Sequence, residues 1–200
     1  MTYRECYEQG CRTLQAAGIE EAALDARLLL EAVCGTDRND LLVHGEQPVA
    51  PEAEEKYLNW IRQRAEHIPL QQLTGEQGFM GLTFSVNEHV LIPRQDTETL
   101  VELVLNEQKD RNCSILDMCT GSGCIAISLK KLGGYRHVEG ADISEKALKV
   151  AKKNAEDILG MDRDTELVSV KNCADTPEQN WQNLSDSQNK YDNFANSNLS

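Results

Sequence analysis

A short strand that turns sharply into a helix through a loop of small residues constrains this chain most. The segment SILDMCTGSGCIAISL covers residues 114–129. Its apolar start stops at Asp117, small residues follow at positions 120–123, and an apolar, helix-favouring run comes next. In open α/β sheets such a loop lies at the carboxyl end of a strand, where ligands bind. The segment therefore predicts a parallel sheet with a candidate ligand site at this loop.

Strand and helix patterns alternate from this segment onward. The predicted strands are 114–117, 137–142 and 167–171, and the predicted helices between them are 123–132 and 144–159. Parallel strands joined by right-handed helical crossovers form a sheet with helices packed on it. Three strands are few for a doubly wound domain. We therefore predict an α/β fold whose doubly wound sheet is partial.

The first 74 residues have a helical pattern instead. Four helices are predicted, over 3–17, over 21–34, around 41–42 and from Pro51 to just before Pro69. Thr2 and Glu5 have the spacing of a capping box. Gly18 and Gly35 are placed to end the first two helices. These residues predict a helical N-terminal domain over residues 1–74.

Residues 75–95 alternate apolar and polar side chains and predict a β-hairpin linker with its turn near Met80 and Gly81. The next segment, up to residue 108, predicts a helix capped by Asp96 or Thr97. Its apolar face would carry Leu100, Leu103 and Val104. The remaining part, 96–200, is predicted to be the α/β domain.

Charge and cysteine content exclude several classes of function. The net charge is −13, which argues against nucleic acid or an anionic membrane as the main partner. No apolar run reaches the roughly 20 residues of a membrane helix, and no secretory signal is visible, so we expect a cytoplasmic protein. The seven cysteines form no C-x-x-C pair. They predict reduced thiols, with neither a disulfide nor a metal site.

Two features predict that the loop binds a nucleoside-containing cofactor. Gly121 and Gly123 allow backbone to approach a ligand closely, and the next helix directs its free N–H groups to the same place. Asp142 ends the next strand, 21 residues beyond Gly121, where a carboxylate can accept both ribose hydroxyls. The alternatives are an ordinary tight turn and an Asp142 that only caps the next helix, although Ser144 can serve as that cap.

The identity of the cofactor depends on Asp117. With Ala126, the loop satisfies a relaxed dinucleotide pattern, so a dinucleotide is not excluded by spacing. An acid beside a pyrophosphate is unfavourable, whereas an acid beside a sulfonium and an amino group is favourable. The sequence therefore points to S-adenosylmethionine.

Two segments resemble known methyltransferases. ILDMCTGSGCIAISL is similar to the first motif of the class I methyltransferases, and LIPRQDTETLVE resembles the IPRPDTE segment of the release factor glutamine methyltransferases. The resemblance extends from about Tyr3 to Asp175. It implies a Rossmann-like methyltransferase domain and S-adenosylmethionine as cofactor. It also implies methylation of the glutamine side-chain amide in the Gly-Gly-Gln motif of a peptide chain release factor.

The resemblance also implies the roles of individual residues. The methionine part of the cofactor would lie on the loop, Asp142 would bind the ribose, and Asp175 would flank the adenine. Gln95 stands where the family usually has proline. Cys119 stands where the family usually has glycine, and its Cβ would reduce cofactor affinity. The loop positions are Cys119, Thr120, Gly121, Ser122 and Gly123.

One motif of the family is missing from these 200 residues. The family uses Asn-Pro-Pro-Tyr to hold the acceptor amide, and here that region has YDNFANSNLS, residues 191–200. No Pro-Pro-Tyr follows either Asn196 or Asn198, so no catalytic residue is assigned. For the isolated chain we expect poor solubility or partial unfolding and no measurable methylation.

Three functional hypotheses remain. The first is the family's enzyme, a monomer whose N-terminal domain recognises the release factor or only caps the catalytic domain. The second is a truncated, non-catalytic remnant with a partner-binding domain and part of a cofactor site. A nucleotide-dependent oxidoreductase is a distant third.

Overall fold

The computed structural model describes residues 1–160 and the strand 169–172. It divides into two compact units. The first contains Met1–Gly78 and Thr83–Ile92, and the second contains Phe79–Leu82 and the chain from Pro93 onward. Within the described residues, no helix combines the length and apolar character that a membrane crossing requires.

The first unit is helical, as predicted. Its helices are α1 Tyr3–Ala16, α2 Ala22–Cys34, α3 Arg38–Val43, α4 Pro51–Ala65 and α5 Leu70–Thr74. The capping box is confirmed, because the Glu5 N–H donates to the Thr2 hydroxyl and the Thr2 N–H donates to the Glu5 carboxylate. Gly18 and Gly35 are left-handed after α1 and α2, with φ of 75° and 63°. Helix α5 was missed, because five residues are too few to show a helical period.

A glycine in the middle of α1 allows three helices to pack together. Helices α1, α2 and α4 contact one another, and the fully buried Tyr57 of α4 donates from its hydroxyl to the Ala26 carbonyl of α2 at 3.2 Å. A Cβ at Gly10 would lie 2.0 Å from the Tyr57 hydroxyl oxygen and 3.0 Å from Cζ. Burial also raises the pKa of Tyr57, so the hydroxyl stays protonated and able to donate. The core therefore requires the absence of a side chain at Gly10.

We expect Gly10→Ala to destabilise the chain by about 1–3 kcal/mol through overpacking, although alanine is the better helix former by about 0.5–1 kcal/mol. Urea unfolding followed by circular dichroism measures this cost. In a Tyr57→Phe background the hydroxyl is absent, so Gly10→Ala should cost less. Equal costs in the two backgrounds would show that Gly10 and the Tyr57 hydroxyl are not coupled.

The predicted hairpin is confirmed. Strands β1, Glu76–Phe79, and β2, Leu82–Ser85, form a two-stranded sheet. Met80 and Gly81 connect them with φ of 52° and 72°. Two left-handed residues in a row give a turn whose twist matches that of the flanking strands. The Met80 N–H also donates to the carboxylate of Glu98.

The second unit contains the predicted parallel sheet. Its elements are α6 Gln95–Glu107, β3 Ser114–Met118, α7 Cys124–Gly133, β4 His137–Asp142, α8 Glu145–Leu159 and β5 Ser169–Asn172. The strand order is β3-β4-β5, both pairs are parallel, and Asp117 lies opposite Gly140. In the described part of the chain β3 is an edge strand. Its Leu116 and Met118 are nearly two-fifths exposed.

Helix α6 differs from the prediction in two respects. Its N-cap is Arg94, which makes no side-chain capping bond, so the predicted cap at Asp96 or Thr97 is wrong. Leu100 and Leu103 are about half exposed, whereas Val101 is fully buried.

Packing at the C-terminal end of α6 explains why the buried face of this helix differs from the predicted one. The hydroxyl of the buried Tyr135 lies 3.0 Å from the Val104 carbonyl oxygen and 2.8 Å from the Gln108 carbonyl oxygen. Helix α6 also contacts α7. These contacts turn the stripe that contains Val101 and Val104 toward the core, and they leave Leu100 and Leu103 at the surface.

Candidate functional site

The loop between β3 and α7 is tied to the neighbouring strand. The Thr120 N–H donates to the Ala141 carbonyl of β4 at 2.9 Å, and the Gly123 N–H donates to the Thr120 carbonyl at 2.8 Å. Three of its residues have left-handed φ, namely Cys119 at 60°, Gly121 at 57° and Gly123 at 81°. The loop is therefore compact and places its backbone at the carboxyl ends of β3 and β4.

The glycines of the site have two different roles. A Cβ at Gly123 would lie 2.7 Å from Cδ1 of Ile127, and a Cβ at Gly140 would lie 2.8 Å from the Thr120 hydroxyl oxygen. Both positions need glycine because elements pack closely there. A Cβ at Gly121 would have no atom nearer than 4.0 Å, the Cys119 carbonyl oxygen. Open space beside the Gly121 backbone is what a ligand approaching the loop requires.

Asp142 joins the loop to the end of β4. Its side chain is 9% exposed; Oδ2 accepts the Gly121 N–H and Oδ1 accepts the Ser144 N–H, both at 2.9 Å. Ser144 itself caps α8, because its hydroxyl accepts the Ala147 N–H at 3.2 Å. Asp142 is therefore not needed as the helix cap. Each carboxylate oxygen has two acceptor positions, so each retains one for a ligand hydroxyl.

Asp117 brings a second carboxylate to the same loop. Its Oδ2 accepts from the Thr120 hydroxyl at 2.7 Å and from the Ala126 N–H at 3.3 Å. Burial raises the pKa of Asp117, the negative charge of Asp142 raises it further, and the two hydrogen bonds oppose this change. Two carboxylates facing one loop make the site favourable for a cationic or hydroxyl-rich ligand and unfavourable for an anion.

We expect Thr120→Val, which removes the hydroxyl but keeps the shape, to destabilise the chain by about 1.5–3 kcal/mol at neutral pH, the value of a hydrogen bond to a charged group. The variant raises the folded-state pKa of Asp117. The cost is present above that pKa, where Asp117 is ionised, and it decreases as the pH falls through it. Urea unfolding at pH 7.5 and pH 4.5 measures the difference.

Thr99→Val, at an exposed position of α6, is the control and should change stability little at either pH. A cost of Thr120→Val that is the same at both pH values would contradict the ionisation of Asp117 on which this expectation depends.

The sequence analysis missed one residue that holds the loop. Asn154 of α8 is 1% exposed, and its side-chain amide donates to the Ser122 carbonyl at 2.9 Å. The buried face of α8 otherwise carries Ala147, Val150, Ala151 and Ala155. A single amide among these apolar positions was the available signal, because a buried amide needs a polar partner.

Cys119 is exposed and is the one loop residue with a Cβ in the left-handed conformation. We expect Cys119→Gly to stabilise the chain by up to about 1 kcal/mol. Relief of the left-handed conformation, about 1–2 kcal/mol, exceeds the added entropy of an unfolded glycine, about 0.5–1 kcal/mol. Cys119→Ala removes the thiol but keeps the Cβ, so it should not stabilise. Urea unfolding of the three proteins measures this, and equal gains for both variants would contradict the conformational explanation.

The structure brings together six of the seven predicted site residues. Cys119, Thr120, Gly121, Ser122, Gly123 and Asp142 lie along one loop and the end of the adjacent strand. Asp175 and the segment 191–200 lie outside the described residues. Gln95 is the first residue of α6, a position that proline would also tolerate. Among the described residues, no cluster of three or more His, Cys, Asp or Glu side chains could hold a metal ion.

Comparison with known proteins gives matches on both sides of the hairpin. A family model described as the PrmC N-terminal domain matches residues 5–75. A model described as ribosomal protein L11 methyltransferase matches residues 95–185. The two matches correspond to the helical part of the chain and to the part that contains the loop.

Individual relatives match across both parts. The release factor glutamine methyltransferase of Moorella thermoacetica is 45% identical over 157 residues, which are 78% of this chain and 55% of the relative. That of Deinococcus radiodurans is 36% identical over 156 residues, 78% of this chain and 56% of the relative. That of Leptospira interrogans is 37% identical over 173 residues, 86% of this chain and 60% of the relative. The chain thus spans somewhat more than half the length of these relatives.

Proposed function

We propose that this chain, which is similar to the release factor glutamine methyltransferases, serves the S-adenosylmethionine-dependent methylation of the glutamine side-chain amide in the Gly-Gly-Gln motif of a peptide chain release factor. The proposal rests on the arrangement of the loop between β3 and α7. There is open space beside the Gly121 backbone, Asp142 accepts the Gly121 N–H, Asp117 accepts the Thr120 hydroxyl, and each carboxylate retains the capacity to accept from a ligand.

The residues present fit the cofactor. Asp142 has one free acceptor position on each carboxylate oxygen, which suits the two hydroxyls of a ribose. Gly121 leaves the space that the methionine part would use. Asp117 supplies negative charge on the side of the loop nearest β3, where a sulfonium and an amino group are favoured over a pyrophosphate. Asp175 remains a proposed adenine contact.

Bound S-adenosylmethionine supplies an electrophilic methyl group on a sulfonium. Held by Asp142 and the loop, the cofactor would supply this methyl group to the amide nitrogen, which would lose one proton, and its sulfur would be left as a thioether. An amide nitrogen is a weak nucleophile, since its lone pair is delocalised into the carbonyl. The protein must therefore act mainly by orienting groups. The contribution of the described residues is to fix the loop, through the bonds of Asp142, Asp117 and Asn154.

A second candidate function has one observation in its favour. The 200 residues contain no Asn-Pro-Pro-Tyr, so no residue of the sequence is identified that would orient the acceptor amide. In this alternative the chain binds cofactor and release factor without transferring the methyl group. The two candidates share the cofactor site and differ only in the transfer step.

A hybrid protein separates the two candidates. Residues 1–172 of this chain would replace the corresponding part of the Moorella thermoacetica relative. Transfer of labelled methyl from S-adenosylmethionine to a release factor would then be measured. We expect the hybrid to label the Gly-Gly-Gln glutamine, because the loop and the helical unit come from a homologous protein. The Asp142→Ala hybrid should label it at least about tenfold more slowly, since two hydrogen bonds to a charged acceptor are lost.

The 200-residue chain alone is the second arm of this experiment. No transfer by the chain together with transfer by the hybrid would assign the chain to the second candidate. A folded hybrid that binds the release factor but transfers no label would contradict the proposed function. Labelling of a Gly-Gly-Ala variant of the release factor would show that the acceptor is a different residue.

A further inference from the structure

The buried face of α8 meets the loop between β3 and α7 at two neighbouring positions. The Asn154 side-chain amide donates to the Ser122 carbonyl at 2.9 Å. Three residues earlier in the helix, the Cβ of Ala151 lies 3.3 Å from the position that a Cβ on Gly123 would take. Residues three apart lie on the same face of a helix. One face of α8 therefore holds two consecutive residues of the loop.

Packing alone does not account for an amide at position 154. Asn154 is 1% exposed, and the other buried residues of α8 are alanines and a valine. An amide loses its hydration when it is buried, and hydrogen bonds must offset that cost. An apolar side chain would fill the same space without the cost. The hydrogen bond to the loop is therefore what asparagine supplies at this position.

The bond from Asn154 closes a ring of contacts around Asp142. One carboxylate oxygen of Asp142 accepts the Gly121 N–H, and the other accepts the Ser144 N–H at the start of α8. Farther along the same helix, Asn154 holds the carbonyl of Ser122, the residue that follows Gly121. Asn154 thus holds the loop against α8 independently of the carboxylate that we assign to the ribose.

We propose that Asn154 is a positioning residue of the cofactor site. Through the Ser122 carbonyl it holds the adjoining Gly121, and the Gly121 N–H in turn fixes the Asp142 carboxylate before a ribose binds. The inference rests on the proposed function for the identity of the ligand. A carboxylate that is already oriented loses less freedom when the ligand binds, so the affinity is higher. Asn154 raises the affinity in this way without touching the ligand.

Calorimetric titration of the 200-residue chain with S-adenosylmethionine tests this role. We expect Asn154→Ala and Asn154→Leu each to weaken binding at least about fivefold, because both remove the donor while the Asp142 carboxylate remains. Alanine is the best helix former, and leucine has the branched shape of asparagine. Both variants should therefore retain the circular dichroism of the unmodified chain, and either one that does so decides the test.

Val150→Ala is the matched control. It shortens another buried side chain of α8, one that forms no hydrogen bond with the loop. Like the Asn154 variants it should lower the urea midpoint, since it leaves a cavity in the core. It should nevertheless leave the affinity for S-adenosylmethionine within about twofold. If the affinity fell in all three variants in proportion to their stability, Asn154 would support only the fold.

Hydrogen exchange of the Gly121 N–H measures the positioning without any ligand. This N–H is held by Asp142, and it exchanges when the loop opens locally. We expect Asn154→Ala to lower its protection at least about fivefold more than that of the β4 N–H groups, because the loop loses its attachment to α8. In Val150→Ala, protection should fall equally at both places.

The outcomes separate this role from the proposed function. If the unmodified chain does not bind S-adenosylmethionine, the assigned cofactor fails and the inference fails with it. If the unmodified chain binds and the Asn154 variants bind equally well, the inference is overturned and the proposed function stands. Weaker binding with unchanged protection of the Gly121 N–H would contradict the route through the loop and also overturn the inference.

Discussion

The hydrogen bond from the Gly121 N–H to the Asp142 carboxylate is the contact on which the candidate site depends. It joins residues that are 21 positions apart, and it fixes the loop after β3 to the end of β4. The loop can approach β4 only because Gly140 has no side chain where the Thr120 hydroxyl packs. The same carboxylate holds the Ser144 N–H and so positions the start of α8. The Asp142 side chain thus fixes the relative positions of the loop, the end of β4 and the start of α8.

Much of this arrangement follows from the sequence because the signals are local. Strand β4 and the Ser144 cap of α8 occur where predicted, since an apolar run and a capping side chain determine them over a few residues. The face of α6 was predicted less well. Leucines at 100 and 103 have helical spacing, but the contact of Tyr135 with the end of α6 decides which face is buried. That contact joins residues about 30 positions apart, and no local pattern contains it.

The same distinction applies within the site. The spacing of Gly121 and Asp142 could be recognised because it recurs in nucleoside-binding sheets. The anchoring of the loop by Asn154 could not, since an amide in a helix is usually at the surface and its partner is a backbone carbonyl 32 residues away. Cys119 shows a third case. The sequence places Cys119 in the loop, but its left-handed conformation, with φ of 60°, is a property of the folded loop. Asp175 and the last ten residues lie outside the described part, so their predicted roles stay predictions.

Two carboxylates beside an open glycine should select a sulfonium nucleoside over a dinucleotide. Calorimetric titration of the 200-residue chain with S-adenosylmethionine and with NAD tests this selection without any partner protein. We expect S-adenosylmethionine to bind more tightly than NAD. We also expect Asp142→Ala to lose most of that affinity, since each hydrogen bond from a ribose hydroxyl to the carboxylate contributes about 1.5–3 kcal/mol. Equal or tighter binding of NAD would contradict the assignment of the site.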